Sequence, residues 1–158
     1  MKQNLYFFIT VFFLFSCGTQ KKVTQNTSIE EDTKLLISYH QVSGYSKTVP
    51  EYTIELYSNR QMYLTAKKNL DKQGKYMRTL PSDEFDEVIK TFVDADFFKF
   101  KDEYTSDMTD LPTRYLYFSY NGQEKKVKDY YEAPEKLKEL EFLMRSFLDR
   151  VGWEKMSW

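Results

Sequence analysis

His40 is the only histidine in this 158-residue chain and Cys17 the only cysteine. Nucleophilic, general-base and soft-metal chemistry must therefore rest on these two residues or on carboxylates. A serine triad needs a histidine beside an activated serine, and the sequence holds no Gly-x-Ser-x-Gly elbow to present one. His40 reads instead as a partly exposed residue at a strand end. One histidine and one cysteine are too few soft ligands for a zinc site. The pairs Asp94/Asp96 and Glu51/Glu55 could do acid–base work only if burial or close pairing separated their pKa values, and the spacing singles out neither pair. Asp102, Glu103, Asp107 and Asp110, interleaved with Thr105, Thr109 and Thr113, offer oxygen ligands of the kind calcium takes. They lack the alternate-residue ligands and the glycine of an EF-hand, and Asp and Thr equally make turns and caps. A structured loop is the reading. Among five glycines there is no phosphate-cradling loop. No catalytic residue, metal site or cofactor is expected, and no enzyme.

The chemistry open to Cys17 is acylation. Lys2 lies in a short polar start, residues 5–15 form an apolar run, and the small Ser16 stands directly before Cys17. That is the build of a secretory signal. Residues 14–17 (LFSC), with Ser16 and Gly18 flanking the cysteine, resemble the lipobox of bacterial lipoproteins, although Phe15 is bulkier than that pattern prefers. The alternatives are an uncleaved anchor and a buried core helix. The run falls short of the roughly 20 apolar residues a membrane span needs, and it shows no polar face. The expectation is a lipoprotein signal peptide over residues 1–16 and a palmitate-type lipid on Cys17. The mature chain would then be held by its N-terminal lipid on the extracytoplasmic side of the cell envelope. An acylated thiol is lost to disulfide, nucleophile and metal chemistry.

Cleavage before Cys17 removes Lys2, taking 23 basic residues to 22 against 24 acidic ones, a formal charge of −2. A near-neutral chain lacks the basic excess that phosphate recognition needs, so no nucleic-acid partner is expected. Thirteen Tyr and thirteen Phe supply large buried areas. A core can therefore form without disulfides in one domain of this size.

Residues 17–33 are polar and without apolar period, a flexible tether after the lipidated cysteine. Residues 34–158 carry the elements of a single domain. Leu35, Ile37 and Tyr39 alternate with Leu36, Ser38 and His40 as a first strand, and residues 41–50 form a loop. Residues 52–66 read as a hairpin turning at 58–61, and residues 75–80 as a fourth strand. Pro81 and Ser82 open a helix, with Asp83 and Glu84 suited to its positive end. Phe85, Val88, Ile89, Phe92 and Val93 make its apolar stripe. Asn121-Gly122 is a strong hairpin signal; it joins residues 115–120 to 124–130, pairing Tyr120 with Gln123, Phe118 with Lys125 and Leu116 with Val127. After Pro134 a second stripe runs through Leu137, Leu140, Met144, Phe147, Leu148 and Val151. Gly152 ends that helix in a left-handed cap, and Trp153 folds back onto it. The expectation is an α+β domain, order ββββ-α-ββ-α, with an antiparallel sheet and two helices packed on one face.

That register has a functional consequence. If Leu116, Phe118 and Val127 face the helices, Tyr115 and Tyr117 lie opposite Lys128 and Lys126 on the other side. In the earlier hairpin Tyr57 and Tyr63, with Thr53, Glu55 and Thr65, also point away from the Ile54/Leu56/Leu64 side. A tyrosine face bordered by lysines suits a protein or a sugar, since Tyr joins rigid area to a hydroxyl. The plainer reading is a solvated face stabilised by cross-strand Tyr–Lys and Tyr–Thr pairs.

Residues 94–98 (DADFF), 101–104 (KDEY), 109–113 (TDLPT), 120–123 (YNGQ) and 129–137 (DYYEAPEKL) resemble a domain of unknown function common in bacterial lipoproteins. The resemblance spans roughly residues 34–150. It implies an exported, usually lipid-anchored domain with no established activity. That family carries a Cys-Phe-Gly-x-Cys-Pro run before its second strand. Here Pro50 matches, but Tyr45 and Val49 stand at the cysteine positions, so no role of those thiols carries over. The expected function is binding of a protein or envelope glycan without catalysis. The alternatives are a structural or stress-related envelope lipoprotein with no small ligand and, third, an enzyme using carboxylates.

Overall fold

The computed structural model describes residues 33–108 and 110–157, all within one compact unit, Glu31–Trp158. The signal segment, Cys17, residues 18–32 of the tether and Thr109 lie outside the described residues. The chain runs β1 (Leu35–Val42), β2 (Glu51–Tyr57), β3 (Gln61–Lys68), β4 (Gly74–Thr79), α1 (Ser82–Asp94), β5 (Glu103–Tyr104), β6 (Thr113–Tyr120), β7 (Gln123–Asp129), α2 (Glu135–Ser146) and β8 (Glu154–Lys155). It is an α+β fold with one sheet, ordered β5-β7-β6-β1-β2-β3-β4-β8.

Strict alternation places one set of side chains on each face of every strand. Ile37 and Tyr39 of β1, Tyr52, Ile54 and Leu56 of β2, Met62 and Leu64 of β3, Leu116 and Phe118 of β6, and Val127 of β7 are buried. They form one cluster with Val88 and Phe92 of α1 and Leu137, Leu140 and Met144 of α2. Both helices therefore cover the same side of the sheet. At one end of the core Phe118 packs at 5.1 Å from Phe92 and 5.7 Å from Phe97. The Asn121-Gly122 turn has both residues at positive φ, and the pairings Tyr120–Gln123, Phe118–Lys125 and Leu116–Val127 are those the sequence predicts.

Four expectations are corrected. The sheet is mixed rather than antiparallel, because the two-residue β5 pairs in parallel with β7, and β8 adds an eighth strand beside β4. Strands this short carry no readable period. Val93, assigned to the α1 stripe, is 42 % exposed, because it lies at the edge of the helix's apolar arc. The second stripe stops early. α2 ends at Ser146 and tightens into a 3₁₀ turn, Phe147–Asp149, which leaves Val151 90 % exposed. Gly152, at φ 90°, accordingly lies beyond that turn and leads the chain toward β8 rather than capping α2. Trp153 does fold back, its indole Nε1 donating to the Phe147 carbonyl at 2.8 Å. Finally, β1 continues to Val42, so His40 sits inside the strand and not at its end.

Candidate functional site

The face of the sheet opposite the helices is built in rows, because antiparallel partners stand directly across from each other. One row runs Met77, Tyr63, Glu55, Ser38, Tyr117 and Lys126 across six strands. The next runs Lys75, Thr65, Thr53, His40, Tyr115 and Lys128. Tyr57 lies two residues beyond Glu55 on the same face. The six residues singled out from the sequence (Tyr57, Tyr63, Tyr115, Tyr117, Lys126 and Lys128) are thus on one side of one sheet. Tyr57 and Tyr63 touch and Tyr115 and Tyr117 are neighbours along β6, but β1 lies between the two pairs.

The rings are held by one another and by charges. Tyr57 and Tyr63 meet at 87° with centroids 5.5 Å apart, the edge-to-face geometry that aromatic quadrupoles favour. The Lys126 Nζ lies 4.6 Å from the centroid of Tyr115, in cation–π range, and the His40 ring approaches Tyr115 at 6.0 Å. The Tyr117 hydroxyl donates to Glu124 Oε2 at 2.9 Å and the Tyr63 hydroxyl to Gln61 Oε1 at 2.8 Å. Partial burial, followed by the Glu124 contact, raises the Tyr117 hydroxyl above its ordinary range. Burial and the nearby Glu55 charge do the same to Tyr57. A hollow of about 410 Å³ opens where Glu55, Tyr57, Tyr63 and Thr65 meet Lys75 and Met156. The site is a preformed, half-buried platform of aromatic rims with ammonium groups at one border.

His40 belongs to this face without forming a catalytic pair. Its Nε2 is buried and makes no hydrogen bond. Burial and the Lys67 charge lower its pKa, which favours the neutral ring. Three of the four carboxylates raised by the sequence stand in ordinary ion pairs. Asp94 pairs with Lys90, Asp96 with Lys99 at 3.1 Å, and Glu51 with Lys67 at 3.6 Å. In the acidic stretch Asp102 reaches Lys125 at 2.9 Å and Glu103 reaches Lys128 at 3.6 Å, so these carboxylates neutralise lysines of β7, the strand next to the β5 edge.

Sequence reasoning missed a second polar cluster, on the helix side of the sheet. The register lines up Tyr52, Gln41, Arg114 and Asp129 across β2, β1, β6 and β7, beneath Glu141 of α2. Asp129 and Glu141 are only 4 % and 5 % exposed. Arg114 Nη1 donates to Asp129 Oδ2 at 3.1 Å, and its Nε stands 3.7 Å from Glu141 Oε2. The Glu141 carboxyl is pushed up to about 8 by burial and by the Asp129 charge, against the pull of Arg114. Burial raises the Tyr39 hydroxyl, and pushes that of Tyr52 up to about 12. Tyr39 donates to Gln41 Oε1 at 3.1 Å, and Gln41 Nε2 to the Pro50 carbonyl at 3.0 Å. The signal was available: Arg114 keeps step with Leu116 and Phe118, Asp129 with Val127, and Glu141 lies one turn after Leu137. Following the strand alternation and the helical spacing past the apolar positions finds all three.

A family described as Domain of unknown function (DUF6438) matches residues 35–148. The match begins with β1 and ends in the turn after α2, so it contains the tyrosine face and the buried cluster. No curated protein matches the chain.

Proposed function

The chain belongs to the DUF6438 family of domains of unknown function, and from that premise we propose a non-catalytic binding module. In this reading Cys17 carries the lipid, the domain stands on the extracytoplasmic side of the cell envelope, and the open sheet face docks a protein. The observation that carries the reading is the common face of Tyr57, Tyr63, Tyr115, Tyr117, Lys126 and Lys128, opposite both helices. Tyrosine combines contact area with few rotatable bonds and a polar tip, and interface cores are rich in it. A protein is favoured over an envelope glycan because stacking on sugars needs free ring faces. Here Lys126 covers a face of Tyr115, and the edge of one ring of the Tyr57–Tyr63 pair covers a face of the other. Lys126, over the Tyr115 ring, would steer an acidic rim on the partner, while Lys128 is already paired with Glu103.

The test is recovery of partners from detergent-solubilised envelopes by the native protein, by Cys17→Ser, and by a Tyr117→Ala/Lys126→Ala double variant. The native form should retain a protein that the folded double variant loses. Most of that loss should trace to Tyr117, since aromatic anchors dominate binding energy. Equal recovery by the folded double variant would refute the face. Retention on purified envelope glycan alone would move the reading to a sugar ligand, and retention of neither to a structural envelope component.

A further inference from the structure

We propose that Glu141 is a neutral carboxylic acid in the native protein at neutral pH, donating its proton to Asp129, and that this shared proton latches α2 onto the sheet. The proposal stands apart from the binding face and from the lipid anchor.

The geometry begins with a charge count. Two carboxylates, both nearly sealed from water, face one guanidinium. Arg114 gives its hydrogen bond to Asp129 Oδ2. Its Nε lies 3.7 Å from Glu141 Oε2, beyond hydrogen-bond length, and has no other acceptor. Asp129 Oδ1 is buried with no donor assigned to it. An orphan carboxylate oxygen in a dry site is costly, and two adjacent ionised carboxylates are costlier still. A single proton on Glu141 addresses both problems. Glu141 and Asp129 both meet the Arg114 side chain, so an O–H on Glu141 supplies the missing donor. The cluster then carries one carboxylate and one guanidinium.

One other buried donor in the cluster, the Tyr52 hydroxyl, also has no hydrogen-bond partner, but it stands on β2, three strands from Asp129 on β7, which leaves Glu141 to supply Asp129. From β1 come the Tyr39 hydroxyl and the Gln41 amide, and these bond to each other. From β2 comes the Tyr52 hydroxyl and from β6 Arg114, while β7 contributes Asp129. Arg145, one turn along α2, is the second cation acting on Glu141, and like Arg114 it favours ionisation. Burial and the Asp129 charge outweigh both. Because folding favours the protonated acid, the latch is complete below the ordinary glutamate range. It weakens as pH rises from there and is lost once the native carboxyl ionises, near pH 8.

The experiment is a carboxyl-carbon NMR titration of the full chain, following Glu141 and Asp129. Glu141 should titrate near pH 8, and Asp129→Asn should lower its midpoint by more than about one unit, because the like charge is gone and Arg114 remains. An ordinary glutamate midpoint in the native chain, or one unmoved by Asp129→Asn, would overturn the proposal. Should Asp129→Asn not fold, Glu141→Gln supplies the second measurement. Its amide donates as the acid does but cannot ionise. The native urea midpoint should fall between about pH 5 and about pH 9, and that of Glu141→Gln should fall much less. Identical pH slopes for the two proteins would equally overturn it.

Discussion

Phe92→Ala tests where the core of this domain lies. The Phe92 side chain is fully buried, with its ring centroid 5.1 Å from Phe118 and 5.6 Å from Phe97. Deleting a buried phenylalanine ring costs about 3–5 kcal/mol once the residual cavity is included. Two aromatic contacts, each worth roughly 0.5–1.5 kcal/mol beyond area, place this site in the upper part of that range. The control is Asp94→Ala on the same helix. Asp94 is exposed and paired with Lys90 four residues earlier, an interaction worth about 0.3–0.5 kcal/mol. It also sits at the negative end of α1, where a carboxylate is unfavourable, so its net contribution is near zero. Urea denaturation followed by tyrosine and tryptophan fluorescence separates the two. With a slope of about 2 kcal/mol per molar, Phe92→Ala should lower the midpoint by about 2 M and Asp94→Ala by less than about 0.3 M. Equal midpoints would refute the assigned face of α1 and the core built on it.

Replacing Cys17 by serine should abolish incorporation of a fatty-acid analogue in cells that label the native protein; an unlipidated native mass would end the anchor reading. Gly44 and Gly122 make a matched pair, both at positive φ. Alanine at Gly122 meets nothing within 4 Å and should cost only the left-handed backbone penalty, about 1–2 kcal/mol. At Gly44 the new methyl would stand 3.1 Å from the Leu111 carbonyl oxygen, so thermal unfolding should show Gly44→Ala as the more damaging; the reverse order would contradict the packing of the 43–50 loop on residue 111.

Tyrosine, lysine and threonine at alternating positions could be assigned to the open face from the sequence because each strand follows an apolar period. The Asn121-Gly122 turn then made the pairing of Tyr117 with Lys126 a local matter, since a two-residue loop allows one register. The helix stripes were legible for the same reason, up to the positions where periodicity outruns burial. Val93 and Val151 continue the spacing of their stripes, but spacing records neither how wide the buried arc of α1 is nor that α2 stops at Ser146.

What the sequence alone determined was which side of its own element each residue occupies: the strand parity of Phe118 against Tyr117, the helical phase of Phe92 against Asp94. Which elements lie side by side was decided only by the tertiary structure. The placing of β1 between β2 and β6, the parallel β5 and the closing β8 are contacts between distant segments, with no period of their own to announce them. The Arg114–Asp129–Glu141 cluster needed both. Parity sends all three residues inward, where a charge by itself is unfavourable. Only the packing of α2 on the sheet brings one guanidinium and two carboxylates together, which leaves one carboxylate in excess.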